Sequence, residues 1–488
     1  MGNRLAKFSL FTHICCCTHG AEKANVMKSF VAIFIWCISW LAVAGDGTKP
    51  NILLIVADDM GYADVGFNGC KDIPTPGIDA LAATGVRFSN GYVTGPYCSP
   101  TRAALLTGRH QSRFGHEFNP GGNQGLPLGE KTIADRLKAA GYVTGLVGKW
   151  HLGALPEMHP QKRGFDEFFG FLGGAHDYFK SAGIMRGEKP VDEKEYLTDA
   201  FGREAIAFIE RHRAGTKPWF LYLAFNAVHT PMQADEARLA KFAGIADNRR
   251  RTYAAMTYAM DEAIGRVLKK LADTGLDKNT LVMFISDNGG PTMPGTTVNG
   301  SRNDPFRGSK RTTLEGGIHV PFVINWPGRL KPAVFEQPVT QMDLTATALA
   351  AAGVEAKPEL KLDGVDLMPF LHGEKNGKPH EALYWRFGKQ MAIRVGDYKL
   401  VRYDSNADTM TGAPRQPVTG PKLYNLATDI GETRDLAAEL PGKLKELQEK
   451  WDAWNATLVP PLWGDGRADN AGAGGSENSG AGGRRRNQ

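Results

Sequence analysis

Two nearly unbroken apolar runs, Asn51-Ile52-Leu53-Leu54-Ile55-Val56 and Leu281-Val282-Met283-Phe284-Ile285-Ser286, set the pattern of the chain. Six residues without polar alternation predict strands buried on both faces, as in a parallel sheet. Around them the apolar period lengthens to that of helices over 77–84, 131–140, 196–211 and about 251–274, with Gly85, Gly141 and Gly275 as stops. Shorter strand-like runs fall at 86–89, 142–147 and 219–225. This alternation predicts a doubly wound α/β sheet, whose ligands lie beyond the carboxyl ends of the strands.

The pattern changes twice more. Residues 163–179 are rich in glycine and aromatics and have no period; they read as a loop bordering the site, with a structural aromatic cluster as the alternative. After a Gly/Lys/Pro-rich stretch at 373–380 come short strands at 383–387, 391–395, 398–403 and 422–425, then a helix over about 436–454. A main domain over 45–375 and a C-terminal α+β subdomain over 376–463 follow from this, and the Gly/Ala/Asn/Arg tail at 464–488 is predicted to be disordered. At the other end, Lys28 precedes an apolar run from Phe30 to Ala44 that closes in Ala42-Val43-Ala44. That run is short for a membrane span, so residues 1–44 read as an export signal cleaved after Ala44, with Met27 as an alternative start. The expected location is periplasmic or secreted, without a stable membrane anchor. Cys15, Cys16 and Cys17 receive no functional account.

Composition narrows this further. With 488 residues, 42% hydrophobic and 23% charged, the chain is long enough for one large domain and a smaller one. Its formal charge of +6 falls to about +3 once the first 44 residues are set aside, too little to imply nucleic acid. The same removal leaves only Cys70 and Cys98, hence at most one disulfide.

Polar residues cluster where the strands end. Asp58 and Asp59 close the first apolar run, and Asp287 and Asn288 close the second. Adjacent buried carboxylates repel unless a cation sits between them, and a set of oxygen donors favours Ca²⁺, then Mg²⁺, over zinc. Lys149 and His151 follow the strand at 142–147, and His229 follows the one at 219–225. Pro96-Tyr97-Cys98-Ser99-Pro100-Thr101-Arg102 leads into an apolar turn ended by Gly108. Here Ser99 reads as an N-cap, Pro100 as the first helical residue, and Cys98 with Arg102 as an anion-binding helix nose. A small buried hydrophobe is the alternative for Cys98.

Cys98-Ser99-Pro100-Thr101-Arg102 followed by Leu106-Thr107-Gly108-Arg109 resembles the signature of the type I sulfatases, with Thr101 where the family more often has Ser. The resemblance spans about residues 50 to 460. It implies an alkaline-phosphatase-like mixed sheet flanked by helices, with a small C-terminal antiparallel sheet plus helix. It also implies that Cys98 is converted to formylglycine (3-oxoalanine) by a maturation enzyme. By the same resemblance Asp58, Asp59, Asp287 and Asn288 are metal ligands with position 98 beside them, and Arg102, Lys149, His151, His229 and Lys310 handle sulfate. One hydroxyl of the hydrated aldehyde attacks sulfur with help from Asp287, His229 with Lys310 serves the leaving oxygen, and His151 takes the proton of the other hydroxyl. The expected substrate is a sulfated sugar or polysaccharide, or an aryl sulfate, with Arg163, His176, Asp177 and Trp385 as candidate substrate contacts. Two alternatives stay open: a formylglycine-dependent phosphonate or phosphodiester hydrolase, and a non-catalytic binder of sulfated glycans in which Cys98 remains a thiol.

Overall fold

Asn51–Ala57 (β1) is buried along its whole length and lies at the centre of a ten-stranded sheet. The computed structural model describes residues 49–409 and 417–464. The export signal read at 1–44, Met27, Cys15 to Cys17 and the tail from 465 lie outside the described residues. In chain order the sheet continues with Val86–Phe88 (β2), Val143–Lys149 (β3), Glu167–Phe171 (β4), Met185–Arg186 (β5), Lys189–Pro190 (β6), Trp219–Ala224 (β7), Thr280–Ser286 (β8), Phe322–Asn325 (β9) and Ala333–Phe335 (β10). Across the sheet the order is β10-β2-β9-β8-β1-β7-β3-β4-β5-β6. Strands β8, β1, β7, β3 and β4 are parallel, while β9 runs antiparallel to both β8 and β2, so the sheet is mixed.

Seven helices matter for the site: Pro76–Thr84 (α1), Cys98–Thr107 (α2), Ile133–Ala139 (α3), Leu197–His212 (α4), Asn248–Asp273 (α5), Gln341–Ala351 (α6) and Pro441–Asn455 (α7). Alternate residues of β1 face opposite cores, as a period of two requires. Ile52, Leu54 and Val56 meet α2, α3 and α6, whereas Leu53, Ile55 and Ala57 meet α1, α4 and α5. This is the doubly wound arrangement that the hydrophobic pattern predicts.

Three local expectations change. The helix after Tyr97 begins at Cys98 and Tyr97 is its N-cap; Ser99 lies inside the first turn, where its hydroxyl bonds elsewhere. Gly108 does end that helix, in the left-handed conformation at φ 69°. The segment at 163–179 is not all loop, because Glu167–Phe171 pairs in parallel with β3 from Gly145 to Lys149. A Cβ on Gly148 would stand 1.9 Å from the Ala224 carbonyl oxygen, so glycine is what lets β3 close against β7 just before Lys149. The last helix starts at Pro441, five residues later than the pattern suggests, with proline at its first position, where no N–H is needed.

The smaller sheet, Leu383–Phe387 (β11), Gln390–Val395 (β12), Tyr398–Arg402 (β13) and Lys422–Asn425 (β14), is antiparallel in chain order. One face packs on α7 through Met391, Ile393, Leu400 and Leu447. The other adds Trp385, Ala392 and Val401 to the main core. Trp385 is fully buried and donates its indole N–H to the Val93 carbonyl at 2.7 Å, which leaves it no face for a sugar. Beside it, Lys399 on β13 sits between Glu315 (2.7 Å) and Glu432 (2.9 Å), all three side chains out of solvent.

Helix α1 is capped from outside its own segment. Thr75 makes no side-chain cap, and Asp261 on α5 instead accepts the N–H groups of Gly77 (2.9 Å) and Ile78 (2.7 Å). Asp261→Ala should cost about 2–3 kcal/mol in chemical denaturation, the cost of stranding buried donors. Burial pushes the Asp261 carboxyl up to about 6, so the folded chain keeps a proton that the unfolded chain releases near pH 4. The contribution of that carboxyl is therefore largest below pH 4 and declines as pH rises to 6. Asp261→Asn, which does not titrate, should gain stability relative to the wild type across that window, and a constant difference would contradict the assignment.

Candidate active site

The carboxyl ends of β7, β1 and β8 are held level by backbone bonds that outlast the strands: Asp58 N–H to Ala227 O at 2.9 Å, and Asp287 N–H to Ala57 O at 3.0 Å. Asp58 and Asp59 thus leave β1 level with Asp287 and Asn288, which leave the neighbouring β8, and all four are fully buried. Asp59 turns there through the left-handed region (φ 62°), one that aspartate tolerates better than most residues, and its N–H reaches Asp287 Oδ1 at 3.2 Å. Helix α2 brings Cys98 and Arg102, β3 brings Lys149 and His151, the loop after β7 brings His229, and the loop after β8 brings Lys310.

These residues meet. Arg102 places Nε and Nη2 at 3.0 and 2.8 Å from Asp287 Oδ2 and Nη1 at 3.3 Å from the Tyr222 hydroxyl. Lys149 Nζ is 2.5 Å from Asp58 Oδ2, and the Cys98 thiol donates to Asp58 Oδ1 at 3.6 Å. Lys310 donates to Asp59 Oδ2 at 2.8 Å and to the Thr297 hydroxyl at 3.1 Å. His229 donates Nδ1–H to the Thr230 carbonyl at 2.6 Å and turns Nε2 toward Asp59, 3.6 Å away. Cys98 is free, as is Cys70, so the disulfide that the sequence allows is not made.

Burial and charge act on these groups in opposite directions. Burial and the neighbouring Asp287 push the Asp58 carboxyl up to about 7 against the pull of Lys149 and Arg102. Asp59 is also raised by burial, but Lys310, His229 and Asn288 outweigh that and hold it well below the usual carboxylate range. Burial drives the Cys98 thiol upward, far from the thiolate range, so an unmodified cysteine here is a poor nucleophile. Burial, then Lys149 and Arg102, hold His151 well below its ordinary value. Burial likewise lowers His229, to about 3.

The four proposed substrate contacts divide. His176 and Asp177 lie on the loop after β4, whose Gly174 passes so close to His151 that a Cβ there would be 2.6 Å from its Nε2. Arg163 lies elsewhere: its guanidinium donates to the carbonyls of Leu126, Pro127 and Glu130, fastening the loop before α3. Trp385 is in the core, as described. Residue patterns gave no sign of Tyr222, Thr297 or Asn299. Asn299 donates to the carbonyls of Asp59 (3.0 Å) and Val228 (2.8 Å), tying two of the strand ends together. The available signal was position, because 289–310 leaves the carboxyl end of a central strand.

The donor set suits a hard cation. Ligand atoms of Asp58, Asp59, Cys98 and Asp287 all lie within 4.8 Å of one another, and Asn288 Oδ1 is buried beside them with no hydrogen-bond partner. Carboxylate and amide oxygens of this kind hold Ca²⁺ or Mg²⁺.

The crystal structure of Ps i-CgsB in complex with k-i-k-neocarrahexaose has the same fold, at a TM-score of 0.78 and 37% identity, over 87% of this chain and 96% of that one. N-acetylgalactosamine-6-sulfatase of Mus musculus is 37% identical over 439 residues, 80% of this chain and 83% of that protein. Arylsulfatase A of Bos taurus is 34% identical over 454 residues, 82% and 86% respectively. Fold and site together define a hydrolase of the alkaline-phosphatase-like superfamily. Residues 50–354 match the Sulfatase family and residues 308–450 match N-sulphoglucosamine sulphohydrolase, C-terminal. The chain belongs to the sulfatase family and is a sulfuric ester hydrolase.

A divalent cation at this cluster should stabilise the folded chain by about 2.7 kcal/mol at a hundredfold excess over its Kd. Chelation should lower the melting temperature and re-addition restore it, while Asp59→Asn should blunt the response. A melting temperature indifferent to both treatments would contradict the site.

Proposed function

We propose that the protein desulfates a sulfated carbohydrate through a formylglycine formed from Cys98, with Ca²⁺ at Asp58, Asp59, Asp287 and Asn288. The observation that carries this is the convergence of Cys98, three cations and two histidines on buried carboxylates at the strand ends. The substrate class is supported by the mouse relative, named for N-acetylgalactosamine-6-sulfate chemistry, and by the oligosaccharide in the Ps i-CgsB complex. Maturation would require a formylglycine-generating enzyme and, by the reading of residues 1–44, export to the periplasm or medium.

When present, the hydrated aldehyde supplies an oxygen nucleophile, and Ca²⁺ supplies charge stabilisation at the sulfuryl oxygens. The chain's own residues do the rest. Three carboxylates, Asp58, Asp59 and Asp287, face three cations, Arg102, Lys149 and Lys310, so the protein part of the site is close to neutral. A bound dication turns this balance into net positive charge, which an anionic ester satisfies. Arg102 comes from helix α2, Lys149 from the end of β3 and Lys310 from the loop after β8, and together they hold the sulfuryl group and orient the ester bond. Asp287 accepts the proton of the attacking group. His151 is the proton acceptor during sulfate release, from the same strand end as Lys149.

His229 serves the leaving oxygen. Its Nδ1–H is committed to Thr230, so the transferable proton resides on Nε2. Burial lowers this imidazole in the free site, and an anionic ester beside it raises it again, so substrate and proton arrive together.

His229→Ala should lose about a hundredfold or more in kcat on a sugar sulfate, whose alkoxide leaves badly, and far less on 4-nitrophenyl sulfate. Equal losses on both esters would overturn the assignment. Peptide mass analysis of protein made with a formylglycine-generating enzyme should show an aldehyde at position 98, and active protein with an intact thiol there would overturn the nucleophile.

A further inference from the structure

We infer that Ser99 and His116 are positioning residues that hold the backbone of His151, and through it the imidazole, in register with position 98. The inference rests on the roles just proposed for His151 and position 98. The Ser99 hydroxyl donates to the His151 carbonyl at 2.6 Å and lies 2.7 Å from His116 Nε2. A carbonyl only accepts, so the one hydroxyl proton is committed to His151, and His116 must present an Nε2–H to Ser99 Oγ. That fixes His116 as the Nε2–H tautomer, with Nδ1 buried and without a hydrogen-bond partner. Burial supports the neutral form, holding His116 down at about 3.

The bridge joins the first turn of α2 to the end of β3, two elements that no strand pairing connects. Both of its ends are fastened. Ser99 N–H donates to Asn119 Oδ1 at 3.1 Å, and Trp463 packs edge-on against His116 at 4.8 Å. The Trp463 indole N–H is shared by the carbonyls of Phe118 and Asn119, each at 3.1 Å. The hold acts on an uncommon backbone, because His151 is left-handed at φ 58°, a region that few residues other than glycine occupy. With its N–H on the Leu172 carbonyl (3.1 Å) and its carbonyl on Ser99, both of its backbone polar groups are fixed.

The test uses full-length enzyme, 4-nitrophenyl sulfate, and rates divided by the aldehyde content at position 98. Ser99→Ala and His116→Phe should each lower kcat about tenfold with KM within twofold, and the double variant should be no worse than either alone. Ser99→Thr and His116→Gln, which restore the hydroxyl and the N–H donor, should recover to within about threefold of wild type. In a His151→Ala background neither Ser99→Ala nor His116→Phe should cost anything further. Additive losses, no rescue, or a further loss without His151 would overturn the inference. If Ser99→Ala is not matured or does not fold, the His116 pair, which leaves residues 98–102 intact, carries the test. The underlying reading fails separately: wild-type kcat in His151→Ala would sink the role of His151 itself, whereas a crippled His151→Ala with unaffected Ser99→Ala and His116→Phe would sink only the bridge.

Discussion

Everything at the strand ends depends on charge compensation out of water. A buried carboxylate without a partner is strongly destabilising, and removing one member of a buried pair costs on the order of 3–5 kcal/mol. Asp58, Asp59 and Asp287 meet this constraint with Lys149, Lys310 and Arg102, and each cation comes from a different element. The ion pairs therefore set the distances from α2, β3 and the Lys310 loop to the central strands. Geometry that serves the reaction and geometry that lets the sheet end in carboxylates are the same geometry, so a charge-removing change at the site reaches well beyond the chemistry.

How much of this was legible in the sequence follows from how local each cause is. β1 and β8 were readable because their burial is two-sided and continuous, and Gly85, Gly108, Gly141 and Gly275 are local stops. Strand β4 was missed because it contains a glycine and does not alternate; its extended form comes from pairing with β3, a non-local cause. The start of α2 lies two residues earlier than expected for a similar reason, since the Ser99 hydroxyl is committed to the His151 carbonyl rather than to a cap in its own turn.

The site divides in the same way. Residues sitting directly on a strand end or helix nose, such as Asp58, Asp287, Lys149 and Cys98, could be found from their neighbours in the chain. Thr297 and Asn299 could not, because their loop has no period and the strand-end groups they bond lie far off in the chain, Asp59 238 residues from Thr297 and Val228 71 residues from Asn299. Arg163 and Trp385, expected as substrate contacts, instead spend their donors on backbone carbonyls inside the fold, partners that are not neighbours in the chain.

The buried Lys399 gives the smaller sheet a standing that its separate topology conceals. Glu315 lies five residues beyond Lys310, and its counter-charge is supplied from β13. A chain ending before β11 would lose the ammonium that neutralises that glutamate, on the very loop that carries one of the three cations of the site. The C-terminal sheet is thus not a detachable module that recombination could exchange for another; it is inherited with the Lys310 loop or not at all.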